Sequence, residues 1–161
     1  MKKILFLLNV LMLIILSSCK NESITISYET YGGTVINDVI LYKDDKYVEI
    51  EPSKEGYTFI GWYSDESFDN LYRVTANYKF DKDIKLYAKW EINIYRVEVR
   101  YADMVKCYDV KYNEELELEI IEYNGWIYNY FYHNMELLES NIILVKSDMY
   151  ILASMEEVNF E

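Results

Sequence analysis

Residues 55–66, EGYTFIGWYSDE, set Tyr57, Phe59, Ile60, Trp62 and Tyr63 around Gly56 and Gly61, between acidic ends. A weaker version, NGWIYNYFYHNME, returns at residues 124–136. Runs this rich in rings serve as ligand platforms, active-site walls or packed cores, and one reading has to account for both copies. The repetition around them favours packing first, with binding as an addition.

The ends of the two halves align at an offset of 65, DIKLYAKW from Asp83 to Trp90 against DMYILASM from Asp148 to Met155, and Gly61-Trp62 matches Gly125-Trp126 at an offset of 64. Their beginnings share a period of two. Ile24, Ile26 and Tyr28 alternate with Thr25 and Ser27, as Val97, Val99 and Tyr101 alternate with Glu98 and Arg100. Such alternation marks half-buried strands. Val48 and Ile50 are echoed by Leu118 and Ile120 after acidic turns at Asp44-Asp45 and Glu114-Glu115. Internal repetition of this kind predicts two structural copies.

In the first copy the pattern predicts strands near 24–29, 38–50, 57–63 and 84–90, with turns at Tyr31-Gly32-Gly33 and Lys54-Glu55-Gly56. Residues 65–73 predict a short helix capped by Asp65, with Phe68, Leu71 and Tyr72 on one apolar face. The expected fold class is mostly β (α+β): two small tandem β-grasp-like modules, each a mostly antiparallel sheet with at most one short helix. Modules of roughly 65 residues have little core and need staples or dense packing. Here Phe59, Trp62, Leu86, Trp90 and Trp126 are the expected core. On the last strand, Ile84, Leu86, Ala88 and Trp90 point to one side, and Met149, Ile151, Ala153 and Met155 keep that apolar side in the second copy.

The first copy resembles a known family. Tyr31-Gly32-Gly33, then PSKEGYTFIGWY from Pro52 to Tyr63, then DIKLYAKW from Asp83 to Trp90, resemble in order and spacing the Listeria–Bacteroides repeat, also called the internalin B-repeat-like family. The resemblance implies a compact β-grasp-like module of bacterial surface and secreted proteins, often in tandem, without catalytic residues of its own. It covers residues 24–91. Residues 95–157 form a degenerate second β module that lacks the Gly-Gly turn, the Pro-Ser-Lys-Glu-Gly segment and the final Trp.

The N-terminus carries an address. MKKILFLLNVLMLIILSSCK opens on Lys2 and Lys3, continues with an apolar run from Ile4 to Ile15 broken by Asn9, and ends on Leu16-Ser17-Ser18-Cys19. That order is a secretory signal sequence, and its apolar run is shorter than the roughly 20 residues a membrane-spanning helix needs. The ending resembles a bacterial lipobox. Residues 1–18 are therefore expected to be a lipoprotein signal peptide forming a signal helix, Cys19 the lipid attachment site, and residues 19–23 a lipidated tether. Two or more acyl chains suffice for stable anchoring at the extracytoplasmic face of the cell membrane.

Charge and composition exclude other classes. Removing residues 1–18 takes away Lys2 and Lys3 and no acid, moving the formal charge from -12 to -14. So acidic a chain lacks the footprint of a nucleic-acid binder, and no nucleic-acid partner is expected. With Cys19 lipidated, Cys107 stands alone and reads as a small buried hydrophobe, and the one histidine, His133, has nothing in the sequence to pair with it. Acidic pairs such as Asp81/Asp83 and Glu136/Glu139 say little about glycosidase chemistry, and Asp65, Glu66 and Asp69 lack EF-hand spacing. No catalytic residue, metal site or cofactor is expected.

The candidate binding residues lie in WIYNYFYH. As a regular strand it places Trp126, Tyr128, Tyr130 and Tyr132 on one face, a ladder of rings with hydroxyl handles suited to a protein or polysaccharide ligand. The functional expectation is a lipid-anchored surface protein acting as a non-catalytic interaction or spacer module. The alternatives are an adhesin or glycan-binding lipoprotein using exposed aromatics and, beyond that, a hydrolase.

Overall fold

A computed structural model describes residues 23–43 and 45–157. The expected signal helix, Cys19 and most of the tether lie outside them. The described chain is mostly β: β1 (Ser23–Glu29), β2 (Val39–Tyr42), β3 (Tyr57–Tyr63), β4 (Ile84–Ile92), β5 (Ile94–Tyr101), β6 (Met104–Lys111), β7 (Glu114–Glu117), β8 (Ile121–Tyr123), β9 (Trp126–His133), β10 (Glu136–Leu137), β11 (Ile142–Val145) and β12 (Met149–Glu157). The strands form a four-stranded sheet of order β2-β1-β4-β3, a six-stranded sheet with the path β10-β9-β12-β5-β6 and β8 beside β9, and a two-stranded ribbon, β11-β7.

One strand order occurs twice. β1 pairs antiparallel with β2 and parallel with β4, which adjoins β3. Likewise β5 pairs antiparallel with β6 and parallel with β12, which adjoins β9. The register agrees as well. Ile26 faces Ile84 and Val97 faces Met149, and Ile84 and Met149 are the residues that the offset of 65 equates. Each parallel pair begins with the same hydrogen bond: the Thr25 N–H donates to Asp83 Oδ1 at 2.8 Å, and the Arg96 N–H donates to Asp148 Oδ1 at 2.8 Å. A parallel pair requires a crossover of a dozen or more residues. In both copies the strand next to the last one lies within that crossover, as in a β-grasp.

The chain divides into two compact units. The first holds the described residues up to Pro52 together with Gly61–Lys89, and the second holds Ser53–Ile60 and the described residues from Trp90 on. In the first unit Ile26, Trp62, Tyr63, Val74, Leu86 and Ala88 are buried. Trp62 Nε1–H donates to the Ile50 carbonyl at 2.9 Å, and the Tyr28 ring meets the indole edge-on at 4.8 Å. The indole thus fills the core and ties down a loop, and burying such a ring removes a large apolar area from water.

The second unit centres on Val97, Val99, Tyr101, Val110, Leu118, Tyr128, Phe131, Ile143, Val145 and Ile151. The ribbon adds Ile143 and Val145 to this cluster, and Leu118 follows directly on β7. Residues 53–60 enter the unit through Gly56, whose carbonyl accepts the Asn93 N–H at 2.9 Å. A Cβ built on Gly56 stands 2.0 Å from Tyr112 Cδ1, and Gly56 has φ 75°. The Tyr112 ring occupies the space that any side chain there needs. Phe59 and Trp90, both half-buried, meet edge-on at 5.5 Å nearby.

Several expectations change. The strand expected over 38–50 stops at Tyr42, because Asp45 turns back: its N–H donates to the Tyr42 carbonyl and its carboxylate accepts the Tyr42 N–H. A side chain that binds local backbone competes with the sheet ladder in this way. Val48 is 75% exposed, whereas its supposed echo Leu118 is fully buried. The helix expected over 65–73 is a single 3-10 turn, Asn70–Tyr72, capped by Asp69 rather than Asp65. Phe68 takes φ 54°, which breaks the helical path, and Leu71 is exposed. Cys107 is exposed, because β6 opposes β5 with Tyr108 against Val97, turning even-numbered side chains toward the core.

Two predictions follow from these contacts. Gly125 has φ 76° with nothing within 4 Å of a built Cβ, so Gly125→Ala is expected to cost only the left-handed backbone, about 1–2 kcal/mol. Gly56→Ala adds the overlap with Tyr112 and is expected to cost roughly twice that or more, read from urea unfolding midpoints of the two variants. Equal costs contradict the ring's placement. The second concerns alkaline pH. Burial pushes the Tyr101 phenol up to about 12 from an ordinary value of 10.0. Below pH 10 it is protonated in both states; from there upward the unfolded chain ionises first, so stability falls as pH rises toward 12. Tyr101→Phe is expected to flatten that fall. Tyr28 and Tyr47, also raised chiefly by burial, keep a residual slope in the variant.

Candidate functional site

β9 carries the expected ring ladder, and a β-bulge divides it. Ser154 pairs with Tyr130 but Met155 pairs with Tyr128, leaving Asn129 as the extra residue on β9. An extra residue reverses the alternation of faces beyond it. Tyr128 and Phe131 are accordingly both buried, whereas Tyr130 is 41% exposed. Tyr128 joins the core and meets Tyr101 edge-on at 6.0 Å, so it leaves the candidate site. Trp126 is 37% exposed and does not belong to the core. It opens β9 directly after the Asn124-Gly125 turn, whereas Trp62 sits inside β3, so the two Gly-Trp pairs are not structural counterparts. Met155, expected on the apolar side, is 48% exposed beyond the same bulge.

Tyr130 and Tyr132 remain together on the outer face of the second sheet, with partners the sequence did not announce. Residues directly opposite one another in a sheet share a face. Leu137 opposes Tyr132, Tyr132 opposes Leu152, Leu152 pairs with Arg100, and Arg100 opposes Val105. This row crosses five strands, and Leu137, Leu152 and Val105 are all exposed. Beside it, Tyr150 pairs with Glu98, and Glu98 opposes Cys107. The sequence signal for these partners was the odd-even alternation of β12: Met149, Ile151 and Ala153 face inward, so Tyr150 and Leu152 face outward.

Polar contacts hold the face in place. Arg100 Nε donates to the Tyr150 hydroxyl at 2.7 Å, and its guanidinium also lies 3.6 Å from the Glu98 carboxylate. Arg96 Nη2 donates to Cys107 Sγ at 3.1 Å. His133 Nδ1 lies 3.0 Å from the Tyr150 carbonyl, and Asn134 Nδ2 lies 3.1 Å from His133 Nε2. The carbonyl only accepts, so these contacts place the ring proton on Nδ1, with Nε2 accepting from the amide. His133 and Cys107 thus have separate partners. A shallow cavity of about 550 Å³ opens among Arg100, Tyr132, Met135, Leu152 and Ser154. Met135, at the tip of the β9–β10 turn, is 96% exposed with φ 66°.

Comparison with known proteins addresses the first half of the chain. The family model of the Listeria-Bacteroides repeat domain matches residues 25–89, in agreement with the expected repeat. Two relatives from Evansella cellulosilytica carry names that class them as a membrane protein and a Gly-rich membrane protein. They are 38% and 39% identical over 74 and 77 residues, each 45% of this chain. The aligned part spans only 11% and 8% of the relatives' own lengths. No solved structure matches. The fold and the family match agree on a β-rich repeat over residues 25–89.

The bulge sets a test by substitution. Tyr128→Ala is expected to destabilise the chain by about 3 kcal/mol or more, since it empties a core position. Tyr130→Ala, two positions away, is expected to change stability by less than ~1 kcal/mol. Chemical denaturation of both variants reads the difference, and the reverse order refutes the divided ladder.

Proposed function

We propose that the chain is a lipid-anchored bacterial surface protein acting without catalysis, as an interaction module on a β-repeat spacer. The repeat match at residues 25–89 and relatives named as membrane proteins support surface placement. The Leu16-Ser17-Ser18-Cys19 ending supports Cys19 as the point of acylation. The interaction half rests on one observation, the uncovered row Leu137–Tyr132–Leu152–Arg100–Val105. Tyr, Arg and aliphatic side chains held on a sheet form a surface of the kind that anchors protein partners. A saccharide ring stacking on Tyr130 or Tyr150 is the second reading, favoured by the Arg100 contact that fixes the Tyr150 hydroxyl.

Expression of the full chain in a bacterium fed a labelled fatty acid tests the anchor. Label is expected in the wild-type chain and absent from Cys19→Ser, with the variant lost from the membrane fraction. Label retained by the variant refutes acylation at Cys19. For the surface, Tyr130→Ser with Tyr132→Ser is expected to abolish capture of host matrix proteins or mucins by cells displaying the chain, with folding intact. Capture that survives the double substitution removes this face from the account.

A further inference from the structure

The first unit contains an open groove of about 1170 Å³ between the end of the β1–β2 pair and the segment that leads into β4. Lys43, Lys46, Lys79 and Lys82 line it. All four are exposed, and among the described residues none of them forms an ion pair. They are four of only sixteen Lys and Arg in a chain of net charge -12. A quarter of the positive charge therefore faces one concavity on a protein that elsewhere repels anions. Among the described residues three carboxylates, Asp45, Asp81 and Asp83, also line it. Asp45 and Asp83 are turned to the backbone N–H groups of Tyr42 and Thr25, so the lining has a small positive excess, with mobile ammonium groups facing two backbone-held acids.

The walls are aromatic. Tyr47 and Phe80 meet edge-on at 5.1 Å, and Tyr78 lies against Phe80 at 4.8 Å. Tyr42, 53% exposed, also lines the groove. Rings supply flat apolar faces with hydroxyl handles, and ammonium groups supply compact charges on flexible stems. The combination matches a ligand that presents both a ring face and anionic groups.

The geometry points to a binding site for an acidic saccharide, a sugar or polyol chain carrying phosphate or carboxylate groups. Single-stranded nucleic acid offers rings and phosphates too. Its bases need successive exposed rings to stack on, whereas of the groove's rings Tyr42 alone is exposed and Tyr47, Tyr78 and Phe80 are half-buried against one another, which favours the saccharide. The site rests on the proposed surface location only for where its ligand is encountered, and its test uses purified protein, so failure here leaves the anchoring experiment untouched.

The full chain in non-ionic detergent is titrated by calorimetry with poly(glycerol phosphate), oligogalacturonate, neutral dextran and an oligo-dT strand. Saturable binding is expected for at least one of the two acidic saccharides, weakening steeply as salt rises, with dextran silent. Whichever of the two binds identifies the anionic group. Replacing the four lysines by Ala is expected to lower affinity about tenfold or more without shifting the unfolding midpoint, because all four are exposed. Lys111→Ala with Lys146→Ala, exposed lysines of the second unit, is expected to leave binding unchanged. Tyr42→Ala is expected to weaken binding several-fold at unchanged stability. Absence of binding to both acidic saccharides, equal binding of dextran, tighter binding of oligo-dT, or an effect of the control pair as large as that of the groove lysines overturns the assignment.

Discussion

Each copy of the repeat depends on bringing its first and last strands side by side in parallel. The link spans 58 residues from Thr25 to Asp83 and 52 from Arg96 to Asp148. Contacts this far apart in sequence carry a large closure entropy, which burial along the paired strands must offset. Ile26 and Leu86 in one copy, and Val97, Val99 and Ile151 in the other, are fully buried on those strands. The aspartate before each last strand fixes where pairing begins. A carboxylate that occupies the first free N–H holds the register, and a slip of one residue turns every buried side chain outward.

The two copies meet this constraint with different cores. The first is built around one indole, which combines burial with a hydrogen bond to the Ile50 carbonyl. The second has no buried indole. It spreads the same work over Tyr101, Tyr128, Phe131 and aliphatic side chains, and recruits the β7–β11 ribbon. The second copy thus carries its core on residues other than a counterpart of Trp62. In the described part of both copies, aromatic and aliphatic packing takes the place of disulfides.

Much of this was legible in the sequence, and the failures have physical causes. Alternation from Ile24 to Tyr28 and from Val97 to Tyr101 placed β1 and β5 closely, and the ring-rich run placed β3 at Tyr57–Tyr63. Parallel pairing was not legible, because alternation reports a face and not a neighbour. The strand over 38–50 was too long because Asp45 is not distinguishable, by type, from any acidic loop residue until its carboxylate is seen on the Tyr42 N–H. The ring ladder failed at one residue: Asn129 is an unremarkable polar position in a regular strand, yet as a bulge it sends Tyr128 inward. Cys107 was misplaced for a related reason, since composition gives its setting but only the register with β5 gives its face. The outward row needed five strands in register, and no single segment of sequence contains it.

Two copies of one strand order, each closed by a parallel pair, underlie the rest of the structure. Nuclear Overhauser contacts across the closing strands of the isotopically labelled chain test this most directly. Parallel contacts linking Ile26 with Ile84 and Val97 with Met149 are predicted in the same sample. Antiparallel contacts between the closing strands of either copy, or a second half without them, would contradict it.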